Sequence, residues 1–298
     1  MGTNWKAWRT RKYKQLDFEF VGDHIVIMYM NNPPVNAHGI QIVHDMDDAW
    51  AGIREDNDVR CVILTGDDTT YKGKHYFSAG ADIKDWSGRD FGQGLPGFES
   101  WVDGKWEFMP REERPMIMPR GSLQVEAIHN SGKVSIAMVN GTCAGAACDF
   151  VLACDLSIAA DDIIMQWSYI LRGIAPFEGG CWLLPRRIGI HKAFDLLTTG
   201  RTITAKEADD LGILNKVVPR DQLRDAVMEY AKWYGEKGPP LAIGGTRHMI
   251  YTGLEQSFRD HLDSTIFIQG NFKPDRKEAM AAWVEKREPH YEGKGTDR

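Results

Sequence analysis

Two short loops of small residues carry the first hint of chemistry. Phe77-Ser78-Ala79-Gly80-Ala81-Asp82-Ile83-Lys84 sets a Ser-Ala-Gly-Ala run between an aromatic pair and the acidic and basic start of a helix. Side chains this small let another group approach the backbone, so that its N–H donors reach a ligand. Gly145-Ala146-Ala147 stands at the expected N-terminus of an apolar helix. N–H groups there lack an intrahelical acceptor, and the helix dipole adds to their attraction for developing negative charge. Brought together, the two loops would form an oxyanion hole, where one donor typically stabilises a transition state by about 3–4 kcal/mol. Taken alone, each is an ordinary tight strand-to-helix turn.

Other chemistries find less support. The five cysteines, Cys61, Cys143, Cys148, Cys154 and Cys181, are an odd number with no Cys-x-x-Cys pair. Three sit in one apolar stretch, which reads as reduced, buried thiols. His38, His44 and His129 have no metal-ligand spacing and are left unassigned. The net charge is −6, with 36 basic and 42 acidic residues, so nucleic acid is not expected as the main partner. A local basic pocket for one phosphorylated ligand remains compatible with that balance. The basic stretch Met1–Lys14 has no apolar segment of the secretory kind, and no apolar run approaches the roughly 18 residues of a membrane span. A reducing, cytoplasmic setting is the expectation.

The elements that must position the loops follow from periodicity. A chain of 298 residues, 43% hydrophobic and 26% charged, is long enough to bury about three-quarters of its unfolded surface. Asp17–Phe20 and His24–Met30, split by Gly22-Asp23, predict a hairpin that Asn31-Asn32-Pro33-Pro34 ends. Ile40, Val43, Met46 and Trp50 predict a helix, and Val59–Leu64 a buried strand. Residues 87–124 mix Gly, Pro, Trp and charges without sustained periodicity, which suits either a lid or a surface insertion. Val134–Val139 predicts a strand, followed by a tight turn, a buried helix and another strand over residues 140–159, and Ile163–Trp167 a further strand. From Gly180 on the pattern is mainly helical. Thr204-Ala205-Lys206-Glu207 forms a capping box, and Leu223, Val227, Tyr230 and Tyr234 share one face. The fold class is α/β with a helical C-terminal region.

The same residues resemble the crotonase (enoyl-CoA hydratase/isomerase) superfamily. Phe77–Lys84 is similar to that family's first oxyanion loop, and Ala137 through Asp155 to its second. Gly173-Ile174-Ala175-Pro176 with Gly179-Gly180, Gly200–Ala205, Leu211–Val218 and Val284–Arg287 are similar to the blocks that follow. The likeness spans roughly residues 15–292 in order and spacing. It implies a spiral core of repeated ββα units, here residues 1–200, and a helical oligomerisation region, residues 201–298. It also implies that the Ala81 and Ala146 N–H groups hold a thioester enolate oxygen. Coenzyme A, as part of the substrate rather than a tightly bound cofactor, would lie along the first loop near Ala79, Asp82 and Lys84. For Lys84 a solvated helix face is the plain alternative.

Departures from the family pattern bear on mechanism. Simple hydratases position water with two glutamates. Gapless register places the first at Asp149, one methylene shorter, and the second at Tyr169, which is no carboxylate. Glu178 lies nine residues further on. Members resembling 6-oxocamphor hydrolase carry His and Asp at the Tyr169 and Glu178 positions, whereas the Val139–Asp155 block is more similar to hydroxycinnamoyl-CoA hydratase-lyase. A carboxylate in an apolar pocket has its pKa raised toward neutrality, which suits a general base, and a Tyr hydroxyl can donate to a carbonyl or to water. Asp149, Tyr169 and Glu178 are therefore the expected acid/base group, against purely structural roles for each.

Ten tryptophans include several near the expected cleft. Most read as core, but Trp86, five residues past the first loop, and Trp167 are expected to line an acyl pocket. The reading is an enzyme acting on a bulky or aromatic acyl-CoA by enoyl-CoA hydration, with or without C–C cleavage. Its rivals are a C–C hydrolase of a cyclic β-dicarbonyl and a non-catalytic binding protein. No metal, nucleic acid or membrane is expected, and the assembly is expected to be a homotrimer or a dimer of trimers. The apolar face of Leu223, Val227 and Tyr230 is taken as support for that assembly.

Overall fold

The structure, a computed structural model, describes residues 6–87, 100–102, 105–107 and 120–293. Most of the 87–124 segment, with its expected lid role, and the side chains of Trp86, Trp101 and Trp106 lie outside the described residues.

The strands are β1 (Leu16–Val21), β2 (Ile25–Met30), β3 (Cys61–Gly66), β4 (Thr70–Tyr71), β5 (Lys74–Ser78), β6 (Ser100–Val102), β7 (Lys105–Glu107), β8 (Val134–Val139), β9 (Thr142–Ala144), β10 (Leu156–Ala160), β11 (Ile164–Gln166), β12 (Ile203–Thr204) and β13 (Lys216–Val218). The helices are α1 (Ile40–Glu55), α2 (Ile83–Ser87), α3 (Arg120–His129), α4 (Ala146–Ala153), α5 (Gly180–Ile188), α6 (Ile190–Thr199), α7 (Ala205–Asp210), α8 (Leu223–Lys232), α9 (Pro240–Gly253), α10 (Phe258–Ile268) and α11 (Lys273–Glu285).

One sheet runs β1-β2-β3-β8-β10-β13 and a second β12-β11-β9-β5-β4. In the first, only the β1–β2 hairpin is antiparallel. Its central strands β3 and β8 are buried at every position, as a parallel strand covered on both faces must be. Three times the chain enters the first sheet, crosses to the second and leaves through helix: β3 then β5, β8 then β9, β10 then β11. This is the repeated ββα spiral expected from the sequence, with α4 wholly buried among the layers.

Four details differ from the sequence reading. The segment expected to be only a turn before α4 contains β9, whose three residues are too few to show a period. Strands β12 and β13 interrupt the helical C-terminal stretch and extend both sheets. Thr204 Oγ accepts the Glu207 N–H at 3.2 Å, but the Glu207 carboxylate binds Arg201 at 2.7 Å instead of returning to the cap, because the stronger donor is a guanidinium. Leu223 and Val227 are buried in the chain's own core with Tyr230 packed beside them, so that face is not spare surface. Exposed apolar side chains of the C-terminal region lie further on, among them Leu254, Phe258, Leu262, Ile266, Met280 and Trp283. No helix among the described residues is long and apolar enough to cross a membrane.

Candidate active site

Parallel pairing of β5 with β9 brings the two loops together. Ser78 is in register with Cys143, so Gly80 and Gly145, two residues beyond each, emerge side by side. Both have positive φ, 83° and 55°, which only glycine adopts readily. A Cβ on Gly80 would sit 2.4 Å from the Ala144 carbonyl oxygen and 3.4 Å from Gly145 Cα. Any side chain at Gly80 would force the loops apart.

The same geometry aims two donors. His38 N–H donates to the Gly80 carbonyl at 2.7 Å, and Asp82 N–H donates to the His38 carbonyl at 3.0 Å. Peptide groups alternate along extended chain, so the intervening Ala81 N–H faces away from His38. Ala146 is the first residue of α4, after Gly145 as an N-cap with no side-chain cap, so its N–H has no intrahelical acceptor. Beneath the first loop, the His38 ring stacks on Phe150 at 4.6 Å, and burial pushes its pKa down to about 3.

The expected coenzyme contacts lie on the first loop but are already engaged in part. Ala79 N–H donates to Val35. The Asp82 carboxylate accepts the N–H groups of Lys84 and Asp85 at 3.0 and 3.3 Å, capping α2. Lys84 is exposed on that short helix.

Asp149, Tyr169 and Glu178 come together. Asp149 sits one helical turn beyond Ala146 and is fully buried. It accepts the Tyr169 hydroxyl at 2.8 Å and the Trp167 indole N–H at 3.0 Å, with the Gly180 N–H as a third donor. Burial pushes its pKa up to about 7, and the three neutral donors only partly offset that. Glu178 is pushed up to about 8, first by burial and then by the charge of Asp149. One Glu178 carboxylate oxygen is buried with no partner among the described residues. Burial and the two carboxylates raise the Tyr169 pKa, so its hydroxyl stays protonated.

Two expectations change here. Trp167 is not a wall of an acyl pocket: it is fully buried and orients Asp149, because an indole N–H in the core needs an acceptor. The single Tyr169 proton is committed to Asp149, so it is not free for a carbonyl or for water. Beyond Glu178 lies a cavity of about 650 Å³ between α3, the start of α5 and α9. Of its wall only Glu178 was legible as a candidate; His129 was left unassigned, and Arg247 and Tyr251 come from a helix remote in sequence. Among the described residues no cluster of His, Cys, Asp or Glu could hold a metal ion.

Comparison with known proteins gives a consistent result. The family model described as enoyl-CoA hydratase/isomerase matches residues 21–117 and 109–294. A Bacillus subtilis protein named "Probable enoyl-CoA hydratase" is 28% identical over 279 residues, covering 92% of this chain and 97% of its own length. A Mycobacterium leprae protein named "Probable enoyl-CoA hydratase echA8" is 30% identical over 272 residues, covering 89% and 93%. The crystal structure of enoyl-CoA hydratase from Bacillus anthracis superposes with a TM-score of 0.80 at 26% identity, covering 94% of this chain and all of that one.

Proposed function

The chain belongs to the enoyl-CoA hydratase/isomerase family, and on that premise we propose that it adds water to a bulky or aromatic enoyl-CoA, with Glu178 as the base. The observation that carries this reading is the line from the Ala146 N–H, through Asp149 one turn away, to the Glu178 oxygen that has no partner among the described residues. The thioester oxygen sits between the Ala81 and Ala146 N–H groups. Ionised Glu178 takes a proton from water as the oxygen bonds to Cβ. The C=C π pair moves through Cα to the thioester oxygen, where the two N–H groups stabilise the enolate. The proton held by Glu178 then returns to Cα, which restores the thioester and completes addition of one water. Asp149 and Tyr169 act behind Glu178. A negative charge on Asp149 raises the proton affinity of Glu178, and the Tyr169 hydroxyl fixes the orientation of Asp149.

Coenzyme A lies along Ala79, Asp82 and Lys84 as part of the substrate, in a cytoplasmic enzyme that assembles as a trimer or hexamer. Within residues 201–298 the assembly region is the part beyond α8, since β12, β13 and α8 still belong to the core. Tyr169 in place of a second carboxylate favours one rival, cleavage of a cyclic β-dicarbonyl by water activated at Glu178 with no need for coenzyme A. Product analysis by mass spectrometry decides between them. Crotonyl-CoA and cinnamoyl-CoA gaining one water support hydration, and further release of an aldehyde adds C–C cleavage. Turnover of a cyclic 1,3-diketone alone selects the hydrolase, and no turnover of any substrate selects a binding protein.

A further inference from the structure

The cavity beyond Glu178 plays no part in the chemistry above. Its volume of about 650 Å³ falls within the range of about 300–1,000 Å³ typical of small-molecule sites. Its wall is largely apolar and aromatic, from Val125, His129, Phe177, Trp182, Leu183 and Tyr251. Three of these rings form one continuous surface. His129 meets Trp182 edge-on at 5.9 Å and Tyr251 at 4.3 Å. Such a surface offers a flat ligand both faces and edges of neighbouring π systems.

The charges in the wall narrow the ligand further. Arg247 stacks over Tyr251 with 4.8 Å to the ring centroid, but its Nε already pairs with Asp155 at 2.9 Å. That guanidinium is therefore neutralised, while Glu126 and Glu255 add only negative charge and Glu178, pushed up to about 8, is mostly uncharged near neutral pH. An anionic group would be repelled and an uncharged one accepted. Glu178 stands in this wall and also belongs to the acid/base cluster around Asp149. A substrate whose reacting carbons lie at Glu178 therefore has the remainder of its acyl group at the mouth of this cavity.

We propose that the cavity between α3, the start of α5 and α9 is the acyl site, and that it selects an uncharged, planar or aromatic acyl group lying against the His129–Trp182–Tyr251 surface. This rests on the acyl-CoA reading above and adds to it the place and chemical class of the acyl group.

Gly244 on α9 provides the test. It lines the cavity, and a Cβ built on it meets no atom within 4 Å, so a larger side chain there enters the open space. Replacing glycine inside a helix also favours the helix, so folding is not put at risk. Two unreactive probes, 3-phenylpropanoyl-CoA and butanoyl-CoA, are titrated by calorimetry into the wild type, Gly244→Ala and Gly244→Leu. Melting temperature checks the fold of each protein. The expected result is graded. Gly244→Leu weakens the phenyl probe at least about tenfold more than the butanoyl probe, the scale of a steric change in an apolar pocket, and Gly244→Ala lies between. Equal effects on both probes, no effect on either, or no binding of the phenyl probe to the wild type overturns the proposal. Because binding is read without turnover, a selective loss in a protein that hydrates neither enoyl-CoA would keep the cavity assignment and reject only the hydratase reading.

Discussion

The two ends of α4 treat their carboxylates in opposite ways. Past the C-terminus, Asp155 accepts the Ser135 N–H and hydroxyl, the Tyr251 hydroxyl and the Arg247 guanidinium. Arg187 there donates to the Leu152 and Cys154 carbonyls at 2.7 and 2.8 Å, which satisfies orphan acceptors of the helix end. At the N-terminus, Gly145 provides no cap, and among the described residues Asp149 receives neutral donors only, with no cation. A guanidinium pairs with a carboxylate and fixes it in place. Neutral donors hold a carboxylate in place yet leave its proton affinity near neutral pH, as the value of about 7 for Asp149 shows. The sealed end anchors α9, and the unsealed end has what acid/base chemistry needs.

That contrast breaks most visibly at Glu178. Glu178→Gln keeps shape and removes the proton acceptor, so kcat should fall by about 10²–10⁴-fold with KM little changed. Asp149→Asn should fall in the same direction. Steady-state kinetics on the double variant should show a loss smaller than the product of the two, as for residues acting as a unit. Full activity in Glu178→Gln with none in Asp149→Asn would move the chemistry onto α4 itself.

Ala146→Pro addresses the unsealed helix end directly. Proline is well tolerated at the first helical position, so the fold should survive while one donor is lost. The expected cost is about 10²–10³-fold in kcat. Near-normal turnover would place the oxyanion hole elsewhere. At the sealed end the readout is stability. Arg247→Met leaves the part-buried Asp155 without its cation and should cost more than about 1 kcal/mol in denaturant unfolding, toward the roughly 3–5 kcal/mol of a broken buried pair. A loss below about 1 kcal/mol, the surface-pair range, would mean that the contrast between the two ends is overstated.

The pH dependence of stability follows from the same two acids. Asp149 and Glu178 are raised to about 7 and about 8, above unfolded carboxylate values of about 4. The folded state therefore holds their protons more tightly. Their stabilising contribution is complete below about pH 4 and is lost as pH rises toward about 8. Melting temperature should decline across that window, and Glu178→Gln should flatten the decline. An unchanged slope would mean that Glu178 is not held protonated by burial. The smallest effect should be that of Tyr169→Phe, which removes one hydrogen bond worth about 0.5–1.5 kcal/mol and leaves the ring against Phe177. A loss in kcat as large as that of Glu178→Gln would make Tyr169 a direct participant.

Much of the spiral was legible because its signals are local. Val134–Val139 is apolar at every position but Ser135, and the structure buries all of it. Asn31-Asn32-Pro33-Pro34 ends β2 as expected, and the Thr204 cap forms. Short elements escaped, since β9, β12 and β13 have two or three residues and no measurable period. The acid/base trio was placed by register against the pattern of the family it resembles, and the fold brings the three side chains together. What counting missed was direction. Trp167 and Tyr169 are two residues apart on the same segment, and both turn toward Asp149, so one became a support and the other lost its free proton.

By itself, then, the sequence determined the order of strands and helices, the two glycine-bearing loops and the types of residue near them. These depend on hydrophobic period and on backbone freedom, which act over a few neighbouring residues. Tertiary structure alone decided that β5 and β9 run parallel in register, so that Gly80 meets Gly145. It also decided that, among the described residues, Asp155 has a cation and Asp149 none, and that Arg247 and Tyr251, more than ninety residues beyond Asp155, help to enclose a cavity behind Glu178. Burial and electrostatic pairing depend on distance in space, and separation along the chain does not fix that distance.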